Sequence, residues 1–154
     1  MPGTYTQLYV QIIFAVKNRN ALIKKDWQER LFSYIAAIID SKGHKSIIVN
    51  GVADHVHILV GLNPSASISD LVRDLKNNSS KFVNENKLSP FKFNWQEGYG
   101  AFSYSRSQLN TVYNYILNQE EHHRKKTFKE EYIEFLKAFE IEYSEKYLFD
   151  WFKN

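Results

Sequence analysis

Apolar residues alternate with polar ones near the start of the chain and predict a first strand over residues 5–16. One face of this strand carries the apolar positions Leu8, Val10, Ile12, Phe14 and Val16. Tyr9 and Ile13 make the opposite face partly apolar as well. A polar stretch over residues 17–20 ends the strand, so we expect the chain to leave the sheet there.

The period of the apolar pattern then changes to that of a helix. From Asp26 onward, apolar residues recur three to four positions apart, and Gly43 stands where helices commonly end. Ser67, with Asp70 three residues later, resembles a helix N-cap, and the Ser89-Pro90 pair closes this second helix. The other predicted elements are strands over 45–50, 55–62 and 91–104, the last with a bend, and helices over 107–125 and 128–141.

The predicted order of elements is β-α-β-β-α-β followed by two helices. This order is typical of the ferredoxin-like split βαβ arrangement, an α+β fold whose antiparallel sheet carries the first two helices on one face. A chain of 154 residues without linkers or repeats is expected to form a single domain over residues 1–154. The aromatic tail over 147–151 is expected to dock on the body of that domain.

The composition removes several classes of protein. The chain contains no cysteine, which excludes a disulfide scaffold, a cysteine-ligated zinc site and a cysteine nucleophile. Its longest apolar run falls well short of the roughly 18 residues that cross a bilayer, and its first residues lack a secretory pattern. We therefore expect no membrane partner and a cytoplasmic protein. The formal net charge of +3 permits a nucleic-acid partner without demanding one.

Two histidines stand two residues apart at the start of the third strand, in the sequence His55-Val56-His57. Successive side chains of a strand point to opposite faces, so both imidazoles project from one face, about 7 Å apart. Two such imidazoles can share a metal ion, although two histidines can also fall this close by chance. Asp54 precedes the pair and either orients one histidine by a hydrogen bond or serves only as a turn residue.

A tyrosine and a glutamine share one face of the helix predicted over 107–125. Tyr115 and Gln119 stand four residues apart, within contact range of each other. A phenol can act as a nucleophile once a metal or a base helps it to ionise, and an amide oxygen can ligate a hard cation beside two imidazoles. Most tyrosines in such a pattern pack the core instead, and spacing alone does not favour Tyr115 over Tyr113.

Taken together, the two motifs resemble those of a known family. This family is the HUH single-strand DNA transposases with one catalytic tyrosine, the insertion-sequence transposases of the IS200-like type. The resemblance covers nearly the whole chain and rests on the two motifs in this order and spacing. It also rests on four further segments: Leu75-Lys76, Ser79-Ser80-Lys81, residues 95–103, and the tail from Glu142-Tyr143 through Tyr147-Leu148-Phe149.

The resemblance implies an enzyme that cuts and rejoins single-stranded DNA at hairpin-bearing element ends. Tyr115 would attack from a C-terminal catalytic helix, followed by a further terminal helix, and leave a 5′-phosphotyrosine link. His55, His57 and Gln119 would hold one divalent metal, Mg or Mn. Such proteins are usually homodimers with shared active sites, in which the tyrosine helix of one subunit completes the histidine site of the other. Whether Tyr115 acts within its own subunit or on its partner stays open.

Basic residues on two helices are candidates for contacts with DNA phosphates. They are Arg73, Lys76 and Lys81 on the second helix and Arg124, Lys125 and Lys126 after Gln119. Either group could equally form a solvated helix face, and cations in a last helical turn also suit the helix dipole. His122-His123 could ligate the metal or support a ligand, or it could belong to a solvated helix end.

The aromatic residues before and within the last predicted strand also allow two interpretations. They are Trp95, Tyr99, Phe102 and Tyr104. Such rings could stack unpaired bases, or they could pack the sheet.

Two alternatives to this transposase function remain. One is a non-catalytic module that binds single-stranded nucleic acid, and the other is a domesticated relative that cuts chromosomal repeat hairpins. The metal and tyrosine residues are all present, which favours an enzyme over a binding module. We expect the protein in the cytoplasm, associated with the nucleoid when it is bound to DNA.

Overall fold

Four antiparallel strands form one sheet in the computed structural model, which describes residues 3–144 and residue 148. The strands are β1 (Tyr9–Ala15), β2 (Lys45–Val52), β3 (His55–Gly61) and β4 (Gly100–Tyr104), in the spatial order β2-β3-β1-β4. The helices are α1 (Gln28–Ser41), α2 (Ile68–Glu85), α3 (Leu109–Leu117), α4 (Gln119–His122) and α5 (Phe128–Ala138). The predicted α+β fold, with the order β-α-β-β-α-β ahead of the C-terminal helices, is therefore confirmed.

Alternate strand positions contribute to separate cores on the two faces of the sheet. On the first face, Ile12 and Phe14 of β1 and Ile58 of β3 are fully buried in a core shared with α1 and α2. Burying side chains of this size contributes roughly 1.5–3 kcal/mol each. Ser67 caps α2 by accepting a hydrogen bond from the backbone N–H of Asp70, as the sequence predicts.

The helices α3 and α5 cover the opposite face, so the sheet is enclosed on both sides. Ile13 of β1 packs with Tyr132 of α5, and Leu59 of β3 packs with Ile116 of α3. Of the predicted docking tail, Leu148 is described and is buried in the same core as Tyr132, while the rest lies outside the described residues. Within the described part of the chain, no helix has both the length and the apolar character needed to cross a bilayer.

The helix predicted over 107–125 is interrupted at Asn118, so the expectation of one continuous helix was wrong. Asn118 has φ −99° and ψ 27°; α3 ends before it and α4 begins after it. The side-chain amide of Asn50 donates hydrogen bonds to the carbonyls of Ile116 and Leu117, at 2.9 and 3.1 Å. These carbonyls therefore have a partner outside the helix, and the helix can end there without leaving them unsatisfied.

The strand predicted over 91–104 is also shorter than expected. Regular pairing begins only with β4, and Trp95 makes an isolated bridge to Val16 ahead of it. Between them, Gly98 has φ +82°, a left-handed conformation that interrupts an extended strand. The predicted bend is present, but it divides the segment into a bridge and a short strand.

Gly51 of β2 has no room for a side chain. A Cβ there would meet the carbonyl oxygen of His55 well inside contact distance and the Cα of Val56 at 3.0 Å. We expect Gly51→Ala to lower the free energy of unfolding by roughly 1–3 kcal/mol, the usual effect of overpacking. Gly61→Ala is the matched control, because its Cβ would meet the Cβ of Lys45 at an ordinary 3.4 Å. Chemical denaturation measures the difference, and equal stability of the two variants would contradict the expectation.

Candidate active site

The two histidines of β3 lie on the face of the sheet that α3 and α5 cover. His55 and His57 have no exposed surface, while Val56 between them is buried in the core of the other face. The centroids of the two imidazole rings are 5.0 Å apart. The alternation of the strand thus places both imidazoles on one face, as the sequence predicts.

Each of these histidines is held by a hydrogen bond at its Nδ1 atom. His55 Nδ1 lies 2.7 Å from Asp54 Oδ1, and His57 Nδ1 lies 2.6 Å from Gln11 Oε1. Both oxygens accept hydrogen bonds, so each Nδ1 carries a hydrogen and donates it. In a neutral imidazole this leaves the Nε2 lone pair available, which is how histidine binds a metal. The structure therefore favours the orienting role of Asp54 over that of a turn residue alone.

Sequence reasoning did not single out Gln11. Its side chain is fully buried on β1, where Nε2 donates a hydrogen bond to the hydroxyl of Tyr104 at 2.8 Å. A polar residue in the middle of an otherwise apolar strand is the signal that could have found it, because a buried amide needs specific partners.

A buried carboxylate that sequence reasoning also missed lies at the centre of the site. Glu131 of α5 is 2% exposed, and its Oε1 lies 3.2 Å from Nε2 of His57 and 3.1 Å from Nε2 of His123. His55 Nε2 approaches the same oxygen at 3.3 Å without hydrogen-bond geometry. Glu131 follows Phe128 by three residues and so shares the inward face of α5, which is the one signal in the sequence that could have indicated its burial.

Tyr115 and Gln119 meet at the second oxygen of this carboxylate. They flank the break at Asn118, and Glu131 Oε2 accepts hydrogen bonds from the Tyr115 hydroxyl and, at 3.2 Å, from Gln119 Nε2. The Tyr115 ring also stacks on His122, with centroids 4.4 Å apart. The structure thus brings the four predicted site residues into one cluster, and His123 and Glu131 join them.

Burial and neighbouring charges set the protonation states of this cluster. Burial lowers the pKa of His57 to about 4, so its imidazole is neutral at physiological pH. For His55, burial is outweighed by the carboxylates of Asp54 and Glu131, and its pKa is raised. For Glu131, burial is outweighed by the three imidazoles that surround its carboxylate, and its pKa lies well below the usual range. Burial and then the charge of Glu131 raise the pKa of Tyr115, so the phenol keeps its proton until an acceptor takes it.

The donor atoms of the cluster fit a divalent cation. One ligand atom each from His55, His57, His123 and Glu131 lie within 4.8 Å of one another. Metal–ligand bonds of about 2.1 Å place neighbouring ligands of an octahedron about 3 Å apart, close to the separations between Glu131 Oε1 and the imidazole nitrogens. Two buried polar atoms, His55 Nε2 and Gln119 Oε1, have no hydrogen-bond partner. A cation would provide the interaction that both atoms lack.

The predicted DNA-contacting cations fall into two groups. Arg124, Lys125 and Lys126 follow α4 beside the cluster, whereas Arg73, Lys76 and Lys81 lie on α2, which covers the other face of the sheet. Lys76 holds a loop in place, since its Nζ donates to the carbonyls of Gln96 and Gly98 at 2.8 and 2.6 Å. Burial lowers the pKa of Lys76 to about 8. Both observations favour a structural role for Lys76.

The structure gives a packing role to two of the four aromatic residues singled out after α2. Trp95 and Phe102 are buried in the cores of opposite faces, and Trp95 Nε1 donates to Ser79 Oγ at 2.9 Å. The packing interpretation is therefore the right one for these two side chains. Tyr104 is half-buried, and Tyr99 is 37% exposed.

Comparison with protein families decides the identity of the chain. The model of a family described as transposase IS200 like matches residues 4–119, a span that contains both histidines of β3, Tyr115 and Gln119. The chain belongs to the IS200-like transposases. It is accordingly a DNA-cleaving and rejoining enzyme of DNA recombination.

Individual relatives agree with this assignment. The ISDra2 transposase TnpA of Deinococcus radiodurans is 26% identical to this transposase over 122 residues, which cover 76% of this chain and 87% of the relative. The crystal structure of a proposed transposase from Deinococcus radiodurans has a TM-score of 0.62 at 23% identity, and covers 77% of this chain and 95% of that one. A REP-associated tyrosine transposase bound to a REP hairpin has a TM-score of 0.60 at 13% identity, with coverage of 80% and 73%. Both solved structures share the fold.

Proposed function

We propose that this transposase cuts and rejoins single-stranded DNA at hairpin-bearing element ends, with Tyr115 as the nucleophile and Mg or Mn as cofactor. The observation that carries this proposal is the convergence of Tyr115, Gln119 and the two β3 histidines around the carboxylate of Glu131. The similar structure in complex with a REP hairpin supports hairpin-forming DNA as the substrate. A phenol nucleophile beside donors for a cation is a combination suited to metal-assisted phosphoryl transfer to tyrosine.

His55, His57 and Gln119 would hold the cation, and His123 and Glu131 offer two further donors. A divalent cation bound there supplies positive charge to the scissile phosphate and stabilises the charge that develops on it. The chain prepares this position by fixing both β3 imidazoles through hydrogen bonds from their Nδ1 atoms. The imidazole nitrogens therefore need no rearrangement of their own rings to act as ligands.

Tyr115 would carry the covalent step. Its oxygen forms a bond to phosphorus while the bond from phosphorus to the 3′ oxygen breaks and that oxygen takes up a proton from water, which leaves a 5′-phosphotyrosine and a 3′-hydroxyl. Glu131 Oε2 already accepts the phenolic hydrogen, so it is placed to take the proton as the phenol attacks. Attack of a 3′-hydroxyl on the phosphotyrosine reverses the step. One phosphodiester bond replaces another, so rejoining requires no nucleotide cofactor.

The proposal extends to assembly and DNA contacts. The chain acts as one domain over residues 1–154, in the cytoplasm and on the nucleoid, and as a homodimer whose subunits share active sites. Within one chain, Tyr115 already reaches the β3 histidines of that same chain through Glu131. We propose Arg124, Lys125 and Lys126 as phosphate contacts beside the site, ahead of the cations of α2.

Loss of His57 is expected to abolish cleavage without abolishing DNA binding. His57→Ala removes a metal donor, so cleavage should fall on the order of a hundredfold or more. Denaturing gels measure cleavage of end-labelled single-stranded hairpins with Mn or Mg, and fluorescence anisotropy measures binding. Both element-end and chromosomal repeat hairpins belong in the assay, because the similar proteins include the ISDra2 transposase as well as a REP-associated transposase. A chelator should likewise abolish cleavage by the unaltered protein without abolishing its binding to hairpin DNA.

His44→Ala is the matched control for this experiment. His44 is a buried histidine outside the cluster, where its Nδ1 accepts a hydrogen bond from the backbone N–H of Asn63 at 2.9 Å. This variant should retain cleavage. If hairpin binding collapses together with cleavage in His57→Ala, the histidine serves the fold or the DNA contact, and the metal role is wrong. Cleavage by the unaltered protein that persists in the presence of a chelator would equally contradict a role for the metal.

A further inference from the structure

A pocket of about 280 Å³ opens beside the phenol of Tyr115, and the proposed chemistry leaves most of its wall without a role. Its apolar wall includes Tyr104 of β4, Val112 of α3, Phe135 of α5 and Phe139, the residue directly after α5. Tyr115 and Glu131 line the same pocket. A group that enters the pocket therefore comes to lie next to the nucleophile.

We propose that this pocket receives one unpaired nucleobase, from the nucleotide adjoining the phosphate that Tyr115 attacks. The inference rests on the proposed function, since a strand held at Tyr115 is what brings a base to the pocket. It deepens that function by adding a contact to a base to the contacts that the strand makes through its phosphate.

The size of the pocket suits a single base. At about 280 Å³ it lies near the lower end of small-molecule sites, which span roughly 300–1,000 Å³. A helix of a partner protein, about 10–12 Å across with its side chains, would not enter it. One planar ring system is therefore the occupant that the space favours.

Two phenylalanines one helical turn apart offer the stacking surface. Phe139 is the C-cap of α5 and follows Phe135 by four residues, so the two rings lie on the same side of the helix end, and Phe139 is 36% exposed. Tyr104 meets the Phe139 ring edge-on at 5.6 Å, and Tyr115 meets the Phe135 ring edge-on at 5.8 Å. These contacts support the rings, while Phe139 keeps surface available to a ligand. Stacking on aromatic side chains is the usual way in which proteins bind unpaired bases.

Polar groups at the pocket match the edge of a base. The Tyr104 hydroxyl accepts a hydrogen bond from Gln11 Nε2 at 2.8 Å, which leaves its own hydrogen to donate. Glu134 also lines the pocket and brings a carboxylate, paired with Lys126 at 2.5 Å, which accepts hydrogen bonds. The Tyr104 hydroxyl can thus donate to a carbonyl oxygen or ring nitrogen of a nucleobase, and the Glu134 carboxylate can accept from a nucleobase amino group.

Fluorescence of 2-aminopurine tests the pocket without requiring cleavage. The probe replaces each unpaired base near the hairpin in turn, and the Tyr115→Phe protein binds the DNA without cutting it. We expect quenching at one position, and loss of that quenching when Phe139→Ala is added. Phe91→Ala is the matched control, because Phe91 is 53% exposed and lies outside the pocket. Phe139→Tyr keeps a ring for stacking and should keep the quenching.

A cleavage measurement then tests whether the base and the pocket contribute to cleavage through the same contact. An abasic nucleotide at the quenched position should lower kcat/KM about tenfold with the unaltered transposase, and Phe139→Ala should do the same with intact DNA. The two changes together should lower kcat/KM no further than either change alone, since each removes the same contact. Thermal unfolding checks that Phe139→Ala retains its fold, and Phe139→Tyr should restore kcat/KM.

Three results separate this inference from the proposed function. If the transposase cuts hairpin DNA but the abasic and Phe139→Ala effects multiply, the pocket does not hold that base and the proposed function stands. Quenching that persists in Phe139→Ala would place the stacked base elsewhere and overturn the inference as well. If the unaltered protein cuts no hairpin DNA, the proposed function fails, while the quenching still decides whether the pocket binds a base.

Discussion

Tyr115→Phe is expected to eliminate the covalent DNA adduct while fold and hairpin binding stay close to those of the unaltered protein. The substitution removes one oxygen atom and keeps the ring that stacks on His122 at a centroid distance of 4.4 Å. Without that oxygen no phosphotyrosine can form, so the adduct should disappear rather than decrease. The measurement is incubation with labelled single-stranded hairpin DNA and Mn or Mg, followed by a denaturing gel that separates protein–DNA adduct from DNA.

Tyr113→Phe is the matched control, because it removes the same atom two residues away. Tyr113 is 38% exposed, and its helix positions it away from the face that Tyr115 shares with Gln119. This variant should form the adduct as the unaltered protein does. An adduct that survives Tyr115→Phe and is lost in Tyr113→Phe would move the nucleophile to Tyr113.

The elements that repeat a regular pattern could be predicted from the sequence. Alternation over β1 and β3 and helical spacing over α1 and α2 reflect burial of one face, which periodicity reports directly. The same alternation predicted that His55 and His57 project from one face. The sequence also offered Asp54, the residue before His55, as an orienting partner. It could not show that the Nδ1 atom of His57 meets Gln11, because a hydrogen-bond partner on another strand depends on the register of the sheet.

The centre of the site could not be predicted, because it is made by residues distant in sequence. Glu131 lies 74 residues from His57, and a glutamate in an amphipathic helix is expected to face water. Burying a carboxylate without partners is costly, so its burial makes sense only once α5 is packed over β3 and the imidazoles surround it. The spacing from Phe128 within α5 can indicate that Glu131 faces inward, but it does not show which groups surround the carboxylate there.

The break at Asn118 has the same origin. Helical spacing continues through it from Val112 to Gln119, so periodicity predicts one helix. The partner of the carbonyls at the break is Asn50, which lies 66 residues from Ile116. A side chain from β2 thus ends α3, and the sequence around Asn118 carries no sign of it.

Glu131→Gln is expected to slow DNA cleavage by about 10²–10⁴-fold, the range for loss of a general acid or base. The amide has nearly the shape of the carboxylate, but it does not take the Tyr115 proton. It also carries no negative charge toward a cation held among imidazoles, so the affinity for Mn should fall as well. Single-turnover cleavage of a labelled hairpin measures the first effect, and a calorimetric titration with Mn measures the second.

Glu121→Gln tests whether the loss of any nearby carboxylate would have the same effect. Glu121 is an exposed glutamate of α4 that pairs with Arg124 at 3.3 Å. Because such surface pairs contribute little to stability, the cleavage rate and the Mn affinity of this variant should both stay within about twofold of those of the unaltered protein. If Glu131→Gln slows cleavage but binds Mn normally, the carboxylate acts on the Tyr115 proton and is not a metal ligand. If the variant cleaves and binds Mn like the unaltered protein, Glu131 only satisfies the imidazoles around it, and its place in the proposed chemistry is wrong.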